Sequence, residues 1–361
     1  MNRRDILKSL SALGALSALP SAALASDTAP KSLRLLILGG TGFIGPHEIN
    51  YALERGHKVT MFNRGKTAPD MFPDVERLIG DRNGELDALK GREWDAVIDN
   101  SGFFPRHARL SAELLKGNVG TYLFVSSISA YDSDALTVED DEFTSKYAAM
   151  DRPLDESEHI YGPTYGARKA LCEQEVAAVF GDNAINVRPG IITGPGDPTD
   201  RLRHWLIRMV AGKEILVPGG KDWPVQYIDA RDMSNWMIHL LEQGEAKGPF
   251  NAVGGVEPFK AEPFLTGIRD ALESTSTLTW VDWDFILERY EQPPTYSPWF
   301  PGDPSPFMQV NNDRALATGL TFRPIEESAK DMVALLNGRG ISRGGFDVET
   351  EAKLLEAWAA R

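Results

Sequence analysis

The stretch LRLLILGGTGFIG, residues 33–45, decides the fold because it joins an apolar run directly to a glycine-rich turn. A short apolar run of this kind is typical of a strand that is buried on both faces of a parallel sheet. Gly39, Gly42 and Gly45 follow at three-residue intervals, and a helical stretch continues to about Gly56. Glycines at this place let backbone amides and a helix N-terminus approach a pyrophosphate. The stretch therefore predicts a dinucleotide site at the first strand-to-helix turn.

Further apolar runs extend this pattern along the chain. The predicted strands lie at residues 57–62, 75–81, 95–102, 121–125 and 183–188. Strands that alternate with helical stretches indicate an α/β fold with a doubly wound parallel sheet. We assign residues 26–195 to the nucleotide-binding domain. Residues 196–361 are assigned to a smaller C-terminal α+β substrate-binding (cap) region, some segments of which return to the sheet.

The end of the second predicted strand bears on the choice of nucleotide. An acidic residue there would bind a ribose 2′-hydroxyl of NAD, whereas positive charge suits the 2′-phosphate of NADP. This strand ends at Asn63 and Arg64, with Lys66 close by. The sequence therefore favours NADP slightly, and NAD stays open because Asn63 could serve a hydroxyl.

A tyrosine and a lysine at helical spacing follow the fifth predicted strand. Of the nine tyrosines, only Tyr165 has a lysine four residues later, at Lys169. Residues four apart share one helix face, so both side chains can face one cofactor. Hydride transfer at a carbinol carbon needs a proton acceptor, and a neighbouring positive charge lowers the pKa of a tyrosine toward that role. The pair therefore predicts redox chemistry at a hydroxyl-bearing carbon.

Three motifs resemble those of one enzyme superfamily: GGTGFIG at residues 39–45, SSISAY at residues 126–131 and YGARK at residues 165–169. They are similar to motifs of extended or atypical short-chain dehydrogenases/reductases of the NAD-dependent epimerase/dehydratase type. The resemblance implies a Rossmann fold over about residues 33–255 and a bound NAD(P). The cofactor contacts that it implies come from Gly39, Thr41, Gly42, Phe43, Ile44, Gly45, Asn63, Arg64, Asp81, Ser101, Gly102, Tyr165, Lys169 and Pro189.

The same resemblance assigns the catalytic roles. It implies that Tyr165 is the acid/base and that Lys169 also binds the nicotinamide ribose. Ser127 is the hydroxyl that positions the substrate oxygen, because it matches the ending of the family's fifth strand. Ser126 and Ser129 are the alternatives for that hydroxyl.

The first 25 residues resemble a twin-arginine export signal. Arg3 and Arg4 precede a mildly apolar stretch at residues 9–19, and small residues precede a cleavage point between Ala25 and Ser26. We therefore expect the twin-arginine machinery to export the folded protein to the periplasm or another site outside the cytoplasm. The apolar stretch is too short for a membrane span.

Charge and residue counts limit the class of protein further. The net charge is −14, and the first 25 residues contribute three basic groups and one acidic group, so the mature chain would carry −16. Such an acidic chain argues against nucleic acid as a partner. Cys172 is the single cysteine, which excludes an intramolecular disulfide, and the six histidines are not spaced as metal ligands.

Three functions remain open at this point. The leading hypothesis is an epimerase-like or dehydratase-like enzyme that acts on a sugar or polyol with a tightly bound NAD(P), because an exported enzyme has little free cofactor to exchange. The alternatives are an NADP-dependent reductase or dehydrogenase with exchangeable cofactor, and a nucleotide-bound protein without catalytic activity. The resemblance also suggests a homodimer.

Two regions carry open interpretations. Residues 132–163 form an acidic insertion, which is either a lid over the substrate or a solvated loop. Trp280, Trp283 and Trp299 lie among prolines and are either a platform for sugar rings or core residues.

Overall fold

The first apolar run forms the central strand of a sheet. Four consecutive residues, from Leu35 to Leu38, are completely buried, so both faces of this strand are covered. This pattern is the one that the sequence predicts for a parallel sheet with helices on both sides. The computed structural model describes residues 31–131, 159–199, 201–294, 296, 298, 306–336 and 344–361.

Strands and helices alternate through the first half of the described chain. The strands are β1 (Arg34–Leu38), β2 (Lys58–Asn63), β3 (Glu76–Ile79), β4 (Trp94–Asp99), β5 (Val119–Val125), β6 (Ala184–Pro189), β7 (Ile191–Thr193), β8 (Ile215–Pro218), β9 (Pro224–Val225), β10 (Tyr227–Asp229), β11 (Gly248–Ala252), β12 (Phe259–Lys260) and β13 (Leu278–Val281). The α-helices are α1 (Gly45–Glu54), α2 (Pro105–Leu115), α3 (Tyr165–Phe180), α4 (Arg203–Val210), α5 (Ala230–Gln243), α6 (Ala261–Ala271), α7 (Trp283–Leu287), α8 (Asp313–Ala317), α9 (Ile325–Ala334) and α10 (Val348–Ala359).

Seven of these strands form one parallel sheet in the order β11-β6-β5-β4-β1-β2-β3. The order reverses beside β1, where doubly wound sheets bind their ligands. The predicted Rossmann-type α/β fold is confirmed. The outer strand β11 comes from the C-terminal half of the chain and pairs with β6 from Gly248 opposite Ile185 onward.

Hydrophobic side chains cover both faces of the sheet. One face packs against α1 and α5, and the other against α2 and α3. A separate hydrophobic cluster is built from the C-terminal half, around Trp205, Val217 and Phe264. Trp280 and Trp283 pack against this cluster, which supports the core interpretation for those two residues. Trp299 lies outside the described residues.

Two sequence predictions concern regions that the described residues do not cover. The export signal and its cleavage point lie within residues 1–30, and most of the acidic insertion lies within residues 132–158. Within the described part of the chain, no helix combines the length and the apolar character that a membrane crossing requires.

Candidate active site

A cleft of about 830 Å³ opens at the carboxyl ends of β1, β4, β5 and β6. The glycine-rich turn forms one side, and Ser127, Tyr165 and Lys169 form another. Pro189, at the end of β6, completes the floor. Residues from several segments, from Gly39 to Met308 along the chain, therefore meet in one place.

The glycine-rich turn leads into α1 with little space to spare. A Cβ atom added at Gly45 would lie 2.5 Å from the Cα atom of Gly40, so only glycine permits this approach of helix to turn. Ile44 occupies the N-cap position and offers no side-chain hydrogen bond to the first amides of α1. The amide of Gly45, the first residue of α1, and the positive end of the helix dipole are suited to a pyrophosphate.

Lys169 is buried at the inner end of the cleft. Its ammonium donates hydrogen bonds to the carbonyl oxygens of Gly102 at 3.0 Å and Val125 at 2.7 Å. It also lies over the rings of Phe103 and Phe124. Burial lowers the pKa of Lys169 to about 8. An ammonium has three N–H groups, and the described residues accept from two of them, which leaves one to donate into the cleft.

Tyr165 is the first residue of α3 and faces the same cleft. Burial raises the pKa of its phenol to about 12, and a hydrogen bond with Ser127 and the positive charge of Arg201 offset part of that rise. Ser127 also accepts a hydrogen bond from the amide of Ser129 at 3.1 Å, which fixes its hydroxyl. By contrast, the hydroxyl of Ser126 is buried and finds no partner among the described residues.

A second cavity, of about 350 Å³, adjoins the cleft at Gly39 and Ser101. Arg64, Lys66 and Asp81 line it, which brings together three residues from the ends of β2 and β3. Arg64 and Lys66 are exposed, and neither is paired with a carboxylate of the described residues. Thr41 also lines this cavity.

Three predicted contact residues use some of their polar atoms for hydrogen bonds within the protein. The carboxamide of Asn63 donates to the carbonyl of Gly39 at 2.8 Å and accepts from the amide of Gly65 at 2.9 Å. The hydroxyl of Ser101 donates to the carbonyl of Leu38 at 3.1 Å, and the carbonyl of Gly102 receives Lys169. The two bonds of Asn63 leave the second N–H of its carboxamide without an acceptor among the described residues, so a contact between Asn63 and a ribose hydroxyl stays a prediction.

One family has a sequence profile that matches this chain. The profile of the NAD dependent epimerase/dehydratase family matches residues 35–104 and 106–253. The chain belongs to this family.

Individual relatives agree with that assignment. A dTDP-4-dehydro-6-deoxy-D-allose reductase of Streptomyces bikiniensis is 27% identical over 260 residues, which cover 62% of this chain and 76% of the reductase. The structure of a UDP-N-acetylglucosamine 4-epimerase from Bacillus cereus aligns with a TM-score of 0.59 at 17% identity, over 86% of this chain and 98% of the epimerase. The NAD⁺ complex of WbmH from Bordetella bronchiseptica aligns with a TM-score of 0.61 at 16% identity, over 86% of this chain and 100% of WbmH. These structures share the fold.

As a member of this family, the protein is an enzyme that uses a nicotinamide cofactor for hydride transfer, as the sequence predicts. Its own residues fit that cofactor: the N-terminus of α1 suits the pyrophosphate, and the remaining N–H of Lys169 suits a ribose hydroxyl. Tyr165 and Ser127 stand beside the place where a substrate oxygen would lie. Within the described chain no cluster of three or more metal-ligating side chains occurs.

One buried network of this enzyme was not predicted from the sequence. Arg82 forms an ion pair with Asp99 and donates to Ser111 at 2.7 Å, and Tyr122 donates to Asp99 at 2.7 Å. Asp99 is the last residue of β4 and is completely buried. Arg82 also donates to the hydroxyl of Ser101 at 3.3 Å, so this network contacts the cleft residue Ser101. An arginine directly after Asp81 was the available signal, but sequence alone does not show which acid it meets.

Two further residues were also missed, one that lines the cleft and one buried behind it. Tyr161 stacks against Phe103 and Tyr165 with ring centroids 5.9 and 5.5 Å apart, so the end of the acidic insertion contacts the site. Glu48 on α1 is completely buried and accepts a hydrogen bond from Asn100 at 2.6 Å. Burial raises the pKa of Glu48 to about 7.

Proposed function

We propose that this enzyme interconverts a secondary alcohol and a ketone within one catalytic cycle, as an epimerase or dehydratase does, on a sugar or related polyol. The observation that carries the proposal is the meeting of Tyr165, Ser127 and Lys169 in one cleft beside the glycine-rich turn. A nicotinamide bound there would supply hydride transfer from and back to the carbinol carbon.

The side chains divide the remaining work. Ser127 holds the substrate oxygen beside the phenol of Tyr165. Tyr165 takes the hydroxyl proton as the carbinol carbon is oxidised, and gives it back when the carbonyl is reduced. Its pKa of about 12 means that the protein alone favours the protonated phenol. The positive charge of an oxidised nicotinamide would lower that pKa and favour proton uptake by the phenolate.

Replacing the acid/base tests this assignment. Tyr165→Phe should abolish turnover and leave nucleotide affinity nearly unchanged, because the ring stays and only the hydroxyl is lost. Tyr290→Phe is the matched control, since the Tyr290 ring packs against Phe346 in the C-terminal cluster. Substantial activity in the Tyr165 variant would show that another group moves the proton.

We also propose that the cofactor stays bound and is carried through the twin-arginine pathway to the periplasm. Support comes from the paired Arg3 and Arg4 and from the small residues before Ser26. Replacing both arginines with lysine should leave the protein in the cytoplasm, and the exported protein should begin at Ser26. Fractionation and N-terminal sequencing measure both outcomes.

Retention of the cofactor separates the two enzyme hypotheses. We expect the protein purified from the periplasm to release about one equivalent of NAD(P) when it is denatured. Nucleotide that survives gel filtration supports an enzyme that regenerates its own cofactor. Empty protein with weak nucleotide affinity would instead favour a reductase with exchangeable NADP.

A preference for NADP is proposed from the second cavity. Arg64 and Lys66 carry positive charge at the end of β2, and positive charge at this strand end suits the 2′-phosphate of NADP. Arg64→Gln should lower the affinity for NADP⁺ by roughly tenfold and change that for NAD⁺ little. Arg92→Gln, which removes a charge paired with Glu76 on the surface, serves as the control. Equal losses for both nucleotides would contradict the preference.

We propose a homodimer through α2 and α3, the helices that flank β5. The resemblance to the family supports this proposal. Sedimentation equilibrium of the mature chain should give twice the chain mass, and a monomer at micromolar concentration would contradict it.

A further inference from the structure

Arg201 lines the cleft, and its charge acts on the phenol of Tyr165. One nitrogen of its guanidinium, Nη1, donates to the carbonyl of Ile192 at 2.9 Å. Its backbone amide donates to the carboxylate of Asp197 at 3.2 Å, and the same carboxylate accepts from the amide of Thr199 at 2.8 Å. Arg201 is therefore anchored both to β7 and to its own loop.

The rest of the guanidinium has no partner within the described chain. Neither Nε nor Nη2 donates to a described residue, and no described carboxylate forms an ion pair with Arg201. Its positive charge nevertheless lowers the pKa of the Tyr165 phenol, so the two groups act on the same part of the cleft. A fixed arginine that faces a cleft with two parallel donors free is suited to a planar anion.

The charge of the cleft supports the same conclusion. Among the described residues that line it, Lys169 and Arg201 carry the positive side chains, and none is acidic. Lys169 is committed to two backbone carbonyls, so Arg201 remains for the substrate. The surrounding wall is mainly apolar and comes from Ile128, Ile191, Ile192, Pro198, Phe307 and Met308, while Ser129 and Thr199 add hydroxyls.

We propose that Arg201 binds a carboxylate of the substrate, and that the substrate is a sugar acid or polyhydroxy acid rather than a sugar attached to a nucleoside diphosphate. This inference rests on the proposed hydride transfer and names the class of molecule on which it acts. One guanidinium edge matches one carboxylate in charge and geometry, whereas a diphosphate brings two charged groups. The C–H face of a sugar ring packs on the apolar wall.

Matched pairs of ligands test the proposal. The mature chain loaded with NADP⁺ is titrated with galacturonate and galactose, with glucuronate and glucose, and with glucose 1-phosphate and UDP-glucose. Binding is followed by calorimetry, and hydride transfer by absorbance of the reduced nicotinamide. We expect at least one acid to bind roughly tenfold or more tightly than its neutral partner.

Variants of Arg201 then show whether the guanidinium is responsible. Arg201→Gln should lower the affinity for the acid by roughly tenfold and bring the ratio of acid to neutral affinity close to one. Arg201→Lys should keep part of the preference, because an ammonium retains the charge but not the planar pair of donors. Arg109→Gln, on the outer face of α2, should match the wild type.

The outcomes separate this inference from the proposed function. If neither acid is preferred, if Arg201→Gln leaves the preference intact, or if UDP-glucose or glucose 1-phosphate binds more tightly than both acids, the carboxylate inference is overturned. Hydride transfer still stands if the wild type oxidises any of these sugars and Tyr165→Phe does not. If Tyr165→Phe oxidises a sugar as fast as the wild type, the assignment of the catalytic group fails instead.

Discussion

The ammonium of Lys169 donates a 2.7 Å hydrogen bond to the carbonyl of Val125, the last residue of β5. With its second bond, to Gly102, Lys169 joins α3 to the ends of both β4 and β5. The same side chain therefore holds the floor of the cleft in place and presents one N–H to a bound nucleotide. Lys169 therefore contributes both to the stability of the fold and to nucleotide binding.

Lys169→Met should weaken nucleotide binding by roughly tenfold or more, because the ribose loses a charged donor. It should also destabilise the fold by about 1–3 kcal/mol, since two buried carbonyls lose their donor. Nucleotide titration and urea denaturation measure the two effects. Lys353→Met, at an exposed pair with Glu349, should change neither. Unchanged nucleotide affinity would show that the third N–H does not face the ribose.

Glu48 should make stability depend on pH. Burial raises its pKa from the ordinary 4.5 to about 7, so the folded protein holds a proton that the unfolded chain releases. The free energy of unfolding should therefore fall as the pH rises from about 4.5 to 7. A shift of this size corresponds to about 3 kcal/mol at most.

The variant Glu48→Gln removes that titration. Urea denaturation should give similar stabilities for variant and wild type at pH 5, and a more stable variant at pH 8. Glu54→Gln is the control, because Glu54 is exposed on the same helix. A constant difference between Glu48→Gln and the wild type across this range would mean that Glu48 is ionised throughout.

The parts of the site that sequence predicts are those encoded locally. The glycine-rich turn, the β1 run and the Tyr165–Lys169 pair each lie within one strand, turn or helix, so spacing alone places their side chains. Helix α3 begins at Tyr165, as its motif predicts. The seventh strand, β11, is different, because its pairing with β6 joins segments about 60 residues apart.

Side-chain partners across the fold could not be predicted in this way. The sequence shows Asn63 and Arg64 at the end of β2 but not that the Asn63 carboxamide turns back onto Gly39. It likewise gives no sign that Arg201 reaches the cleft, because a loop of irregular backbone sets its direction. Such contacts depend on how separate segments approach, which periodicity does not encode.

The buried pair of Arg82 and Asp99 should be important for stability. Asp99→Asn leaves the Arg82 guanidinium buried without its counter-charge, which should destabilise the fold by about 3–5 kcal/mol. Asp95→Asn makes the same change on the same strand at a half-exposed pair with Arg34, and its effect should be much smaller. Denaturation midpoints compare the two variants. If the two variants lose the same stability, burial of the Arg82–Asp99 pair does not increase its contribution to the free energy of unfolding.

Arg201 should also influence the pH dependence of catalysis through Tyr165. Its positive charge favours the phenolate and lowers the pKa of Tyr165, so Arg201→Gln should raise that pKa. Alcohol oxidation needs the phenolate, so the rise of its rate with pH should move to higher pH in the variant. Single-turnover reduction of bound NADP⁺, measured from pH 6 to 10 with a neutral sugar, isolates this effect from carboxylate binding. Arg109→Gln should keep the wild-type dependence of rate on pH. If Arg201→Gln also leaves that dependence unchanged, the charge of Arg201 does not affect the proton transfer.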